Sequence, residues 1–184
     1  MRVLAISGSL RSGSYNTALL REAAGLAPAG VELGLYEGLE LLPPYDEDDD
    51  GEDGPREAAR LRRAIEDADA LLIATPEYNG SVPGQLKNAV DWASRPARAG
   101  ALWGKPVAVV GATTGSYGAI WAQADLRRVL GIAGARVLET ELPVARAQER
   151  FDGEGRLLDE QLRERLGGIL RELAAATEPV AVAA

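Results

Sequence analysis

The sequence predicts an α/β protein, a three-layer sandwich built on a five-stranded parallel sheet, and three observations carry that prediction. Short continuous apolar runs at 3–6, 71–74 and 107–110 read as strands buried on both faces. Segments with apolar residues at helical spacing separate them. The chain has 184 residues, 46% of them hydrophobic, which fits one domain with a substantial core. Strands alternating with helices make βαβ units, whose right-handed crossovers place helices on both faces of the sheet. The domain is expected over 1–176, with a tail at 177–184.

Residues 3–6 form the first strand and run into Ser7-Gly8-Ser9. Ala18, Leu19, Leu20, Ala23, Ala24 and Ala27 then mark a helix. Val31, Leu33 and Leu35 alternate as a second strand closed by Tyr36, and Pro43-Pro44 with the acidic run 46–53 make a long loop. Pro55 suits a first helical turn, followed by Ala58, Leu61, Ala64, Ile65 and Ala68 on one face. Residues 71–74 are the third strand, stopped by Thr75-Pro76. Pro83 opens a helix carrying Leu86, Ala89, Val90 and Ala93. Residues 107–110 are the fourth strand, before a loop over 111–118 and a helix through Leu126 and Leu130. Residues 136–138 are the fifth strand, its extension to Leu142 left open. Gly153-Glu154-Gly155 turns the chain into a last helix over 157–176. In sheets of this class ligands bind at the carboxyl ends of the strands, near the switch point of the topology.

Composition removes several chemistries. The chain has no Cys and no His. Disulfides, thiolate catalysis, the Ser-His-Asp triad and the commonest metal ligand are therefore excluded. The net charge is −8, but seven of the 28 acids lie in one run, DEDDDGED at 46–53, and the rest of the chain is nearly neutral. No basic nucleic-acid footprint is visible. The run is expected to be a solvated loop. Counted from Asp46, Gly51 and Glu57 fall at the sixth and twelfth places of a calcium loop, yet no helix precedes Asp46. No stretch of 18 apolar residues suggests a membrane span. Met1-Arg2 leads directly into a strand without a signal-peptide pattern, so a cytoplasmic setting is expected.

The loop after the first strand reads SGSLRSGSYNT before a helix begins. Exposed amides at a helix N-terminus favour anions, and Ser, Thr and Arg side chains donate to phosphate oxygens. A Walker A loop would need Gly-Lys-Ser/Thr, whereas Gly13 precedes Ser14 and Tyr15. The dinucleotide fingerprint is also missing, because four residues separate Gly8 from Gly13. A monophosphate site remains, alongside the plainer reading that Ser14 or Asn16 only caps the helix. The loop after the third strand, TPEYNGSVP, would lie beside the first in a sheet of order 2-1-3-4-5. Asn79-Gly80 favours a tight turn there, whose amides would bond the edge of a flat heterocycle, with Tyr78 offering an aromatic face. A rigid turn between prolines with an exposed Tyr is the alternative.

GSLRSGSYN followed by PEYNGSVPGQLKNAVDW resembles the NADPH-dependent FMN reductase family, which includes bacterial quinone, chromate and azo-dye reductases. The resemblance implies a flavodoxin-like fold, bound FMN, NADPH or NADH as co-substrate and a small-molecule oxidant used in ping-pong order. It also implies that Ser9, Arg11, Ser14, Asn16 and Thr17 bind the FMN phosphate. Pro76, Glu77, Tyr78, Asn79 and Gly80 would hold the isoalloxazine and part of the ribityl chain, and the third loop, with Thr113, Thr114 and Gly115, would touch the flavin from the other side. Family members are usually dimers or tetramers, so a homodimer or homotetramer is expected, with the helix bearing residues 86–92 near the contact. Trp92, Trp103 and Trp121 are equally readable as interface anchors or as core and partly covered surface. No catalytic acid or base is assigned, since the cofactor carries the redox chemistry.

Two other readings stay in view. A flavodoxin-type electron carrier, served by a partner reductase, resembles a T-x-T-G-x-T phosphate loop, which this chain lacks. A short-chain dehydrogenase would show Tyr-x-x-x-Lys, and no Tyr here has Lys four residues on.

Overall fold

In a computed structural model, which describes residues 1–51 and 53–178, a six-stranded sheet carries helices on both faces. The strands are β1 (Arg2–Ser7), β2 (Glu32–Leu35), β3 (Ala70–Ala74), β4 (Pro106–Ala112), β5 (Arg136–Val137) and β6 (Pro143–Val144). The main path runs β2-β1-β3-β4-β5, as the sequence predicts, and β6 adds to β4. Most of the expected tail, 179–184, lies outside the described residues.

Every residue of β3 and β4 is buried, because helices cover both faces of these central strands. The pleat divides the core in two. Leu72, Ala108 and Val110 face α1 (Tyr15–Gly25) and α6 (Glu160–Ala175) through Leu19, Leu166 and Leu170. Leu71, Ile73, Val107 and Val109 face α2 (Arg56–Glu66), α3 (Gly84–Ala93) and α4 (Ile120–Ile132) through Leu61, Leu86 and Leu126. No helix among the described residues is long and apolar enough to cross a membrane.

Parallel register, with Ser7 beside Ala74 and Ala74 beside Val110, brings the carboxyl ends of β1, β3 and β4 to one edge. A buried amide ties that edge together. Asn16, in the first turn of α1, donates from Nδ2 to the Ala112 carbonyl and accepts the Ala112 amide on Oδ1, both at 2.9 Å.

The structure departs from the expected elements in four places. β4 takes in Gly111 and Ala112, which the sequence places in the following loop. The fifth strand does not continue to Leu142. It stops at Val137, and the chain returns as β6 to pair Pro143 and Val144 with Gly111 and Ala112. Leu157 and Leu158 precede the last helix, which Asp159 caps by accepting from the amides of Gln161 and Leu162. A 3-10 turn at Leu39–Leu41 and a short helix α5 (Ala147–Arg150) add to the expected elements.

Within the acidic run, Asp50 turns inward to Arg62 at 2.6 Å and accepts from the Tyr45 hydroxyl at 3.4 Å. At least one of the acids expected in solvent is therefore a structural partner. Trp92 is core, 1% exposed, with its indole donating to the Pro43 carbonyl at 2.9 Å and its ring edge-on to Tyr45.

Two changes test this frame. Trp92→Ala is expected to cost about 3–5 kcal/mol in urea unfolding, as for other buried aromatics; a loss below about 1 kcal/mol would contradict the burial. Asn16→Ala strands the paired groups of Ala112, with an expected cost of about 1–3 kcal/mol. An unchanged denaturation midpoint would show that the α1–β4 tie contributes nothing.

Candidate functional site

The loop after β1 begins where the ladder ends. The Gly8 amide donates to the Ala74 carbonyl at 2.8 Å. A Cβ on Gly8 would lie 2.6 Å from a Leu86 methyl and 3.3 Å from Pro76, so a larger residue here would make Leu86 shift and crowd the next loop. Ser7 is a local hub: its Oγ accepts from the Thr17 hydroxyl at 2.9 Å and donates weakly to the Ser9 carbonyl at 3.3 Å. Ser14 caps α1, accepting the Thr17 amide on Oγ at 3.1 Å.

The amides of Tyr15 and Asn16 have no acceptor among the described residues, and the first turn of α1 carries no acid. Arg11 is exposed in the same loop. Free amides, hydroxyls and one cation at the start of an 11-residue helix suit an anion. Asn16 enters this group through its backbone alone, since its side chain is committed to Ala112. Ser14 caps α1 as the plainer reading has it, whereas the Asn16 side chain caps nothing and reaches across to β4; neither role removes the anion site.

Beside it, β3 ends in Thr75-Pro76, both buried. Tyr78 and Ser81 then exchange backbone hydrogen bonds at 3.2 and 3.1 Å across Asn79 (φ 52°) and Gly80 (φ 73°). Two successive left-handed residues define a tight turn that Asn-Gly adopts readily. The amides of Asn79 and Gly80 have no acceptor among the described residues, and Tyr78 is half exposed. The Glu77 carboxylate is engaged elsewhere: Oε2 accepts the amides of Trp121 and Ala122, each at 3.1 Å. The Ser81 hydroxyl donates to Asp125 at 2.7 Å. That bond and a second from Arg128 hold the Asp125 carboxyl below the usual carboxylate range. The contact is thus present above the ordinary carboxylate pKa and is lost only as pH falls through the lowered one.

The third loop closes the edge. The Thr113 amide donates to Val144, the Ala147 amide to Thr113 and the Arg146 amide to Gly115. The Gly115 amide reaches the Thr113 hydroxyl at 3.3 Å, and Thr114 is exposed. Buried Gln123 donates to the Gly118 carbonyl at 2.8 Å and accepts the Leu142 amide at 3.3 Å, joining α4 to the approach of β6. Exposed Tyr117 packs on Trp121, ring centroids 4.8 Å apart. The three loops of the sequence analysis thus share one edge, while Trp92 lies in the core, away from solvent. Ser7, Gln123 and Asp125 escaped that reading. Their spacing to the motifs carries no local signal, and only the Ser7-Gly8-Ser9 strand end marked one of them.

The model for the family described as NADPH-dependent FMN reductase matches residues 1–149. An NAD(P)H-dependent FMN reductase of Pseudomonas aeruginosa is 48% identical over 165 residues, covering 89% of this chain and 88% of that protein. A 2-hydroxy-1,4-benzoquinone reductase of Burkholderia sp. is 37% identical over 176 residues, covering 95% of each. Among solved structures, a flavoenzyme NAD(P)H:(acceptor) oxidoreductase from Paracoccus denitrificans superposes with a TM-score of 0.83 at 36% identity, over 96% of each chain. The fold is flavodoxin-like, and the family match and these relatives together place the chain: it belongs to the NADPH-dependent FMN reductase family.

Proposed function

We propose that this protein passes electrons from NAD(P)H, through FMN held at the carboxyl edge of the sheet, to a small oxidant of the quinone class. The observation that carries the reading is the pair of unpartnered amides, Tyr15 and Asn16, opening α1 beside Arg11 and a cluster of hydroxyls. They fit a phosphate monoester dianion. The quinone class follows from relatives named for it, among them the benzoquinone reductase.

Bound FMN would supply the hydride acceptor and the electron donor to the oxidant. The chain's own groups bind and orient it. Ser9, Arg11 and Ser14 would hold the phosphate together with the α1 amides, and Thr17, whose hydroxyl and amide are donated to Ser7 and Ser14, would brace the loop. Pro76, Tyr78, Asn79 and Gly80 would hold the ring, and the free amides of the turn would favour negative charge on its edge. Thr113, Thr114 and Gly115 close the other side. Hydride transfer depends on stacking at near-contact distance. A site without His or Cys therefore meets the demand, provided its turns are rigid. Asn16 and Glu77 take part as framework, their side chains being committed to Ala112 and to α4.

We also infer a cytoplasmic homodimer or homotetramer. NAD(P)H is supplied in that compartment. A groove of about 660 Å³ between α3 and α4 leaves Trp103 and Ile132 exposed, 52% and 75%, as uncovered apolar area suited to a subunit contact.

The purified protein, after incubation with FMN, is expected to be yellow and to bleach on anaerobic addition of NADPH or NADH. A preparation that stays colourless ends the proposal, and bleaching that needs an added reductase makes the protein an electron carrier instead. Arg11→Ala is expected to weaken FMN binding by about 1.5–3 kcal/mol, the worth of a charge-assisted contact. A fluorescence titration would read this as roughly 10- to 150-fold in Kd. An unchanged Kd removes Arg11 from the phosphate site.

A further inference from the structure

α4 starts without a cap of its own. Ala119, at φ 60°, precedes it and offers no side-chain hydrogen bond. Its first amides are instead satisfied from across the site by Glu77, more than forty positions earlier in the chain, through the two 3.1 Å bonds to Trp121 and Ala122. A carboxylate suits this place, because helix N-termini carry unpaired donors and partial positive charge. Four residues beyond Glu77, Ser81 is bonded to Asp125 on the second turn of the same helix. The turn 78–81 is therefore fastened to α4 at both ends. The three exposed residues between the fastenings, Tyr78, Asn79 and Gly80, are those facing the ring in the function proposed above. α4 in turn carries Trp121, packed on Tyr117, and so brings the exposed aromatic pair into the same rigid body.

We propose that Glu77 is a positioning residue for electron transfer: by capping α4 from the flavin-edge turn, it fixes that turn relative to the Tyr117–Trp121 pair. The inference rests on the function proposed above, because the turn must face the flavin for its position to matter. Its physical content is a division of labour. The grip on the cofactor's phosphate lies in the loop after β1, where Glu77 makes no contact. The stacking geometry lies in the turn that Glu77 holds.

The test compares wild type with Glu77→Ala, Glu77→Gln and Ser81→Ala, each as FMN-loaded protein, in stopped-flow anaerobic reduction by NADPH and in FMN titration. Misplacement of reacting groups by a fraction of an ångström slows transfer steeply, so Glu77→Ala is expected to lower the reduction rate about tenfold or more. Its FMN Kd should stay within about threefold of wild type, since the charge-assisted phosphate contacts are untouched. Glu77→Gln keeps an oxygen acceptor for the α4 amides and is expected to recover most of the rate. Ser81→Ala frees the other end of the turn and should fall between. Reduction of Glu77→Ala at the wild-type rate overturns the proposal. So does a Glu77→Gln protein as slow as Glu77→Ala, which would assign the effect to charge alone, and so does a rate loss matched by an equal loss of FMN affinity. Should Glu77→Ala not fold, Ser81→Ala decides, and its reduction at the wild-type rate also overturns the proposal. A wild-type protein that binds no FMN, or is not reduced by NADPH, fails the functional reading itself and is recognised before any variant is compared.

Discussion

The site depends on one buried amide. Asn16 meets the N–H and the C=O of Ala112, so both ends of its side chain are satisfied by a single residue. A buried amide that loses one partner carries a desolvation penalty, so the pair holds its geometry closely. Asn16 sits at the start of α1, behind the loop with free amides. Ala112 ends β4, where the third loop begins and β6 joins. The bond therefore sets the distance between the two sides of the candidate cofactor site, and the turn after β3 lies between them in the sheet.

The same economy recurs at the other polar residues of this edge. Asn16 and Glu77 look like ligand contacts when read along the chain, and each spends its side chain on the protein, while Ser14 accepts in a cap and keeps its hydroxyl proton to donate. Ser14 caps α1, Asn16 joins α1 to β4 and Glu77 caps α4. What remains for a cofactor is largely backbone: the amides opening α1 and those of Asn79 and Gly80, supplemented by Ser9, Arg11, Ser14 and exposed Thr114. Backbone donors lose little freedom when they bind, which makes for a preorganised site. The absence of His and Cys from the sequence is consistent with a protein whose part in the chemistry is orientation.

The central sheet was legible because burial on both faces leaves a simple mark. Residues 71–74 and 107–110 are unbroken apolar runs, and the alternation with helices makes the sheet parallel, its order being the one a flavodoxin-like fold implies. The loops after β1 and β3 were legible as turns because Gly, Ser, Asn and Pro have backbone roles that do not depend on distant partners. What the sequence hides is pairing across distance. Asp50 with Arg62, Ser81 with Asp125 and Glu77 with the amides of α4 follow no local spacing. The outer strand was hidden for another reason: Val137 and Leu138 are only partly buried, and the polar residues 139–141 mask the point where the chain leaves the sheet and returns. α5, at four residues, is too short to show a helical period.

That divided outer strand has a consequence of its own. β5 pairs with the lower half of β4, at Pro106 and Val107, and β6 with the upper half, at Gly111 and Ala112. In a single long strand, any change of register at the mouth would slide the floor of the molecule too. Here the bridge at 138–142 uncouples them. Natural variation in its length or composition would reshape the third loop and the width of the mouth while leaving the packed base intact. The two halves of this edge are thereby free to change independently of one another.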